Sequence, residues 1–242
     1  MKHILLGLLL FFSIASFAQV GVGTTTPETS AKLDVSSTTK GFLPPRMDST
    51  QRNAIASPAT GLTIYNTTLK SVQVYNGTDW VSTVHFIGER YGGGIVFYVY
   101  DNGQHGLIAA TVDQSTGIPW YNGTYRYTGT TGDGLNAGAM NTALIVATQM
   151  ADNQAGNFAA KVCADYSVTV SGITYGDWYL PSKYELNLLY LQKTIVGGFS
   201  SNFYWSSSEY DANYTWIQNF TSGHQTFGTK IFTYPVRSVR AF

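Results

Sequence analysis

The clearest pattern of apolar runs separated by a polar turn begins after residue 92. A glycine run leads into an apolar stretch at residues 95–100, the turn sequence Asp101-Asn102-Gly103 follows, and residues 106–110 are apolar again. Turn dipeptides such as Asn-Gly between apolar runs are typical of β-hairpins. The sequence therefore predicts two antiparallel strands joined by a tight turn.

Helical periodicity follows in three segments. Apolar residues recur at spacings of three and four between 136 and 150, which predicts an amphipathic helix, and residues 158–166 form a second helical segment. Ser182 and Glu185 have the spacing of a capping box, in which the serine oxygen and the glutamate side chain each accept a hydrogen bond from a backbone amide at the helix start. We expect a third helix there, with Glu185 acting in the cap.

Strand-like alternation returns at residue 204. Residues 214–220 and 225–230 alternate on either side of Ser222-Gly223, which predicts a second hairpin. Residues 236–242 alternate as a closing strand. The C-terminal part of the chain therefore combines strands and helices in one α+β domain.

The closing strand carries two arginines. A bulge near Ser238 would reconcile the apolar positions on this strand. Arg237 and Arg240 are three residues apart, and their expected role is structural. We expect one of them to pair with a buried carboxylate such as Asp177 or Glu209, because arginine forms strong paired hydrogen bonds with carboxylates.

Residues 19–85 have a different texture, rich in Thr, Pro and Gly with short apolar pairs. Residues 62–65 and 72–75 alternate, and the second run ends at the turn dipeptide Asn76-Gly77, so we expect about four short strands. So few large apolar side chains make a thin core. Packing against copies of the same chain would compensate, which favours an oligomerising stalk.

The N-terminus has the features of a secretory signal peptide. Lys2 and His3 form a short basic start, residues 4–12 are apolar except for Gly7, and cleavage is expected after Ala18. The apolar run is shorter than the roughly 20 residues that span a bilayer. We expect an exported protein, secreted or on the outer cell surface, without a membrane span. Its three parts are a signal peptide (1–18), a β-rich stalk module (19–85) and a head (86–242).

Composition narrows the classes of function. Charged residues make up 12% of the chain and the formal net charge is zero, against about 25% charged residues in typical domains. The absence of a basic stripe argues against a nucleic-acid partner. Cys163 is the only cysteine, so no internal disulfide can form, and we interpret it as a small buried apolar residue.

Six different motifs follow one another through residues 19–85. They are Gly21-Val22-Gly23-Thr24-Thr25-Thr26-Pro27, Leu33-Asp34-Val35-Ser36-Ser37, Lys40-Gly41-Phe42-Leu43-Pro44-Pro45-Arg46-Met47, Gln51-Arg52-Asn53-Ala54-Ile55, Gly61-Leu62-Thr63-Ile64-Tyr65-Asn66 and Tyr75-Asn76-Gly77-Thr78-Asp79-Trp80. Together they resemble a leader module of exported proteins from Bacteroidetes-type bacteria that is similar to phage tail-fibre segments. The resemblance implies a projecting, homotrimeric, fibre-like stalk.

A second set of motifs spans the head. They are Gly93-Gly94-Ile95-Val96-Phe97, Asp177-Trp178-Tyr179-Leu180-Pro181-Ser182 with Glu185-Leu186, Tyr204-Trp205-Ser206-Ser207-Ser208-Glu209 and Val236-Arg237-Ser238-Val239-Arg240. In this order they resemble the C-terminal domain family of the collagen-like Legionella adhesin.

This second resemblance implies a fold and a function class. The implied fold is a C-type-lectin-like mixed sheet with two or three helices, and the implied function is surface recognition, often of glycans. The calcium-binding tripeptides of true C-type lectins are missing from the sequence. We therefore expect neither a metal nor another cofactor.

The candidate ligand-binding residues lie between positions 205 and 225. Aromatic rings stack on sugars, while hydroxyl and amide groups add directional hydrogen bonds. The alternative is structural, with Trp205 in the core, the serines packing a strand end, and the stretch after Glu209 a solvated loop. The candidates are Trp205, Ser207, Ser208, Glu209, Tyr210, Asn213, Tyr214, Trp216, His224 and Gln225.

Three classes of function remain open. The favoured hypothesis is an adhesin-like, non-enzymatic protein that binds a glycan or a protein on a surface. The second is a structural module that assembles a surface fibre. The third and least favoured is a glycan-active enzyme, which needs two carboxylates facing each other. The candidates for that pair are Glu209 or Asp211 together with Asp177.

Overall fold

The computed structural model describes residues 19–153 and 155–242. The predicted signal peptide, residues 1–18, lies outside the described residues. Within them the chain folds into five α-helices and several small sheets, which confirms the α+β class.

The stalk consists of a two-stranded ribbon and a four-stranded sheet. The ribbon pairs its two strands in parallel, and the sheet has its strands in sequence order. One short helix, not expected from the sequence, begins after Asp48 with a capping box to Gln51. The elements are β1 (Val20–Val22), β2 (Leu33–Val35), β3 (Arg46–Met47), α1 (Ser49–Asn53), β4 (Thr63–Asn66), β5 (Ser71–Tyr75) and β6 (Trp80–Ser82).

The stalk core is thin and largely polar. Among the described residues up to 85, Ile64 is the only buried apolar residue. Around it Gln73 accepts hydrogen bonds on Oε1 from Asn66 Nδ2 at 2.9 Å and Arg52 Nη1 at 2.7 Å. A core of this kind contributes little hydrophobic free energy, in line with the expectation from the sequence.

The head is built from small antiparallel sheets. One sheet has the order β17–β9–β8–β7, a second β13–β14–β15, and β10–β16 and β11–β12 form pairs. The predicted mixed sheet is therefore wrong, because every strand pair described in the head is antiparallel. The strands are β7 (Arg90–Tyr91), β8 (Gly94–Tyr100), β9 (His105–Ala109), β10 (Ser115–Ile118), β11 (Val168–Val170), β12 (Ile173–Tyr175), β13 (Phe203–Glu209), β14 (Tyr214–Asn219), β15 (Gln225–Thr229), β16 (Tyr234–Val236) and β17 (Val239–Ala241).

Four helices pack beside these sheets: α2 (Ala137–Asp152), α3 (Ala159–Ala164), α4 (Lys183–Leu191) and the short α5 (Lys193–Val196). The predicted helices correspond to α2, α3 and α4. The capping box at the start of α4 is confirmed, since Ser182 Oγ accepts from Glu185 N at 3.2 Å and Glu185 Oε2 accepts from Ser182 N at 2.8 Å.

The predicted single closing strand is divided between two sheets. β16 pairs with β10, whereas β17 pairs with β9. Arg237 and Ser238 lie between them and are fully buried. The Arg237 side chain pairs with Asp113 and donates to backbone oxygens, Gly198 O among them at 2.7 Å. The chain therefore crosses from one sheet to the other where a bulge was expected.

Candidate functional site

Strand β13 lies inside the head. Trp205, Ser207, Ser208 and Glu209 are each at most 3% exposed. Trp205 Nε1 donates to Ile118 O at 2.8 Å, and Ser208 Oγ donates to Gly132 O at 2.7 Å. The expectation that these four residues form the binding surface is therefore wrong, because they are buried and their polar atoms serve the packing of the head.

Glu209 forms a buried ion pair with Lys230. Its carboxylate also accepts hydrogen bonds from Thr128 N, at 3.0 and 2.9 Å, and Gly129 N, at 2.9 Å. Burial lowers the pKa of Lys230, and the neighbouring Glu209 carboxylate opposes that shift.

Lys230 also fixes two loops. Its Nζ donates to Arg126 O at 2.8 Å and to Ala212 O at 3.0 Å. Together with the Glu209 pair, these bonds join the loop around residue 128, the end of β13 and the turn before β14. The turn is thus fixed by the ammonium group of Lys230, which has no access to solvent.

Four aromatic rings meet above that turn. We call Tyr210, Tyr214, Trp216 and Phe227 the aromatic cluster. Tyr210 and Phe227 are stacked, with ring centroids 4.7 Å apart and planes 10° apart, and Tyr214 meets Phe227 edge-on at 5.6 Å. Trp216 stands edge-on to Tyr210 at 6.0 Å and to Phe227 at 6.4 Å.

The cluster faces solvent. Tyr210 is 51% exposed, Phe227 47% and Tyr214 36%, while Trp216 is half-buried. Trp216 and Phe227 are direct partners across β14 and β15. Since side chains alternate along a strand, Tyr214 lies on the same outer face as Trp216. The sheet therefore displays an apolar, ring-lined surface that the protein leaves uncovered.

The turn that carries Tyr210 is held rigid by a local motif. Asp211 Oδ1 accepts hydrogen bonds from Asn213 N at 2.7 Å and Tyr214 N at 2.8 Å. Such a turn replaces backbone pairing at the start of the strand. Tyr210 and Tyr214 are thereby presented with little freedom of the backbone.

Lys183 borders the cluster. Its Nζ lies 3.8 Å from the centroid of a Trp216 ring, a cation–π contact, and 4.0 Å from Asp133 Oδ2. The cluster thus has an apolar surface with one charged edge.

The remaining candidates divide between the two ends of the hairpin. Asn213 is exposed in the turn beside the cluster. Gln225 pairs with Gln218, four residues along β14 from Tyr214, which is about 13 Å at the rise of a strand. His224 lies just beyond Gln225 in the opposite turn. The structure therefore brings Asn213 to the cluster and keeps His224 and Gln225 apart from its exposed tyrosines.

Sequence reasoning missed Phe227 and Lys183. The signal for Phe227 was present, because the predicted strand 225–230 contains it, and the structure pairs it with Trp216 across the hairpin. Lys183 had no such signal, since its approach to Trp216 depends on how α4 packs against β14.

Of the three acids considered for catalysis, Asp177 and Glu209 each pair with a cation of their own, and Asp211 Oδ1 accepts hydrogen bonds in its turn. Asp177 Oδ1 and Oδ2 accept hydrogen bonds from Arg240 Nε at 2.7 Å and Nη2 at 2.9 Å. Partial burial raises the pKa of Asp177, but the hydrogen bonds and charge of Arg240 outweigh this and lower it. Because Glu209 pairs with Lys230, the two acids belong to separate ion pairs. The expected pairing of one arginine with Asp177 or Glu209 is thus made by Arg240, but the Asp177 side chain is 59% exposed and not buried as expected.

Two further findings bear on function. In the part of the chain that the structure describes, no three or more His, Cys, Asp or Glu residues come together as a metal site would require. Over the same residues, no helix combines the length and the apolar character needed to cross a bilayer.

The sequence of the head matches a known family. The family model of the Lcl C-terminal domain matches residues 109–240, more than half of the chain. This chain belongs to the Lcl C-terminal domain family. The phage tail-like trimerisation region matches residues 21–103, so the stalk and the first strands of this Lcl-family chain resemble that region. Both resemblances drawn from the sequence are confirmed.

Comparison with solved structures gives a weaker likeness. A fimbrial protein from Bacteroides ovatus shares 17% sequence identity with this Lcl-family chain at a TM-score of 0.41. The alignment covers 69% of this chain, and the chain spans 46% of the length of that protein. The search of curated proteins gives no match.

Proposed function

We propose that this chain is a non-enzymatic subunit of a surface fibre, whose head binds a glycan through the aromatic cluster. The observation that carries the proposal is the exposure of three rings, Tyr210, Tyr214 and Phe227, on one face of β14 and β15 and the turn before them. Stacking of a sugar ring on such a surface uses its apolar face, while Asn213 and Lys183 offer polar contacts at the edge.

The buried residues beneath the cluster support this assignment. The Glu209–Lys230 pair and the Asp211 turn fix the positions of the rings before a ligand arrives. Preorganised contacts lose little conformational entropy on binding, which favours affinity. Exposed rings without a role in binding or assembly would instead be a liability for solubility.

Three further parts of the proposal concern the whole chain. The match to a trimerisation region supports a homotrimer, in which three heads bind together and gain avidity. The Lcl-family match supports an exported or surface location and a lectin-like arrangement of the head. The division into residues 1–18, 19–85 and 86–242 belongs to the same proposal.

A glycan array tests the central part. We expect the full exported chain to bind a subset of glycans and Phe227→Ala to lose at least tenfold in signal. Phe232→Ala is the matched control, because Phe232 is similarly exposed, at 50%, and its ring neighbour is Tyr234 outside the cluster. It should bind as the unmodified chain does.

Other outcomes of the array would contradict glycan binding by the cluster. These are an absence of binding to every glycan, or equal losses in the two variants. If the array is negative and Phe227→Ala instead breaks the oligomer, the cluster is an assembly contact and the fibre-module alternative is correct.

A further inference from the structure

The ribbon of β1 and β2 is covered on one face by its own chain. A side chain at Gly21 would come within 2.6 Å of Thr24 O and 3.0 Å of Pro27 Cγ, so the turn after β1 closes over this position. Asp34, the partner of Gly21 across the ribbon, accepts a hydrogen bond from Glu28 N at 2.9 Å. This face is therefore satisfied within one subunit.

The opposite face is apolar and open. Val20 pairs with Leu33 and Val22 with Val35, which places all four side chains on the same side of the ribbon. Their exposures are 56%, 55%, 52% and 43%. No residue that the structure describes covers this face enough to bury any of them.

Such a ribbon is poorly suited to stand alone. Parallel strands occur almost always with both faces covered, and an isolated two-stranded ribbon is at best marginally stable in water. The strands are short, and a parallel pair is slightly weaker per residue than an antiparallel one. The apolar face thus requires a partner surface that is itself apolar.

The match to a trimerisation region identifies that partner. It begins at residue 21, within β1, and so includes almost the whole ribbon. An apolar strip of valine and leucine without a charged group is self-complementary around a rotation axis, since each copy presents the same surface. Copies of this chain fit the strip without any further component.

We infer that the face of Val20, Val22, Leu33 and Val35 is the contact by which three copies of this chain meet around a threefold axis. The inference rests on the trimeric part of the proposed function and assigns it to particular residues. In the trimer the apolar faces point inward, and the face closed by Thr24 and Pro27 points to solvent.

The experiment compares two aspartate variants of the full exported chain by native mass spectrometry and sedimentation. Val22→Asp places a charge on the inferred contact. Val170→Asp is the matched control, because Val170 is a strand residue of the head with a similar exposure of 46%. We expect the unmodified chain and Val170→Asp to be trimers. Val22→Asp should dissociate at a protein concentration at least tenfold higher than the one at which the unmodified trimer dissociates.

A cross-linking arm covers the case in which Val22→Asp fails to fold. With Val22→Cys, a short bis-maleimide should produce covalent dimers between subunits, whereas Val170→Cys should produce none. Cys163 does not interfere, because its thiol is fully buried.

The possible results distinguish the assigned contact face from the proposed trimer itself. A trimeric unmodified chain with a Val22→Asp variant that stays trimeric, or with no cross-link at Val22→Cys, overturns the assigned face and leaves the trimer intact. A monomeric or dimeric unmodified chain overturns both. Glycan binding by the head is read separately on the array and is independent of either result.

Discussion

At the scale of single residues, burial decides what each side chain can do. Trp205 and Trp216 stand on neighbouring strands, yet Trp205 is fully buried and Trp216 is half-buried beside exposed rings. The sequence placed Tyr210, Tyr214 and Trp216 in one candidate patch, and the structure brings them together. The sequence alone could not show which tryptophan faces inward, because that depends on the helices packed beneath the sheet.

Burial of Cys163 has a testable consequence. It raises the pKa of the Cys163 thiol to about 12. An unfolded chain releases this proton at about pH 8.5. The unfolded state therefore loses the proton first, and the free energy of unfolding falls as pH rises from about 8.5 toward 12. The fall is up to about 1.4 kcal/mol per pH unit.

Urea denaturation at about pH 8 and about pH 10 measures this effect. We expect the unmodified chain to lose roughly 1–2 kcal/mol more than Cys163→Ala over that interval. The tyrosines titrate equally in both proteins, so the difference reports the thiol alone. Equal losses in the two proteins would show that Cys163 reaches solvent.

At the scale of elements, local signals were enough to predict α2, α3 and α4, whereas the short α1 and α5 were missed. The capping box of Ser182 and the periodicity of residues 137–152 depend on neighbours within a few positions. The closing strand failed as a prediction because its division between β16 and β17 is set by distant groups, including Asp113 beside Arg237. The Glu209–Lys230 pair was missed for the same reason, since Glu209 ends β13 and Lys230 follows β15, 21 positions along the chain.

That pair provides the prediction at this scale. Lys230→Met should lower the free energy of unfolding by roughly 3–5 kcal/mol, because the Glu209 carboxylate is left buried without its cation. Adding Glu209→Gln should recover part of the loss. The measurement is equilibrium denaturation in guanidinium.

Lys161→Met is the matched control for this substitution. Lys161 forms an ion pair with Asp165, whose side chain is 59% exposed. A pair of that kind contributes about 0–1 kcal/mol. The account of the buried pair is wrong if Lys230→Met costs no more than the control.

At the scale of the whole molecule, the stalk has a thin core and the head has a well-packed one. The stalk buries a polar network around Ile64 and leaves its first two strands open on one side, whereas the head contains three buried apolar clusters. Oligomerisation could be predicted because the stalk has few large apolar side chains with which to form a core. The face that we propose for this contact became visible only when the ribbon register put four apolar side chains together.

We propose that the ligand binds on the aromatic cluster, and the fluorescence of Trp216 reports binding there directly. Of the other four tryptophans, Trp120, Trp178 and Trp205 are buried, and Trp80 lies in β6, outside the cluster. A ligand on the cluster should therefore change the emission of Trp216 most. The decisive measurement is a fluorescence titration of the full chain and of Trp216→Phe with a glycan selected on the array. We expect a saturable emission change that Trp216→Phe abolishes while calorimetry still detects binding. An emission change that persists in Trp216→Phe, or binding without any change in the unmodified chain, would place the ligand elsewhere and contradict the account.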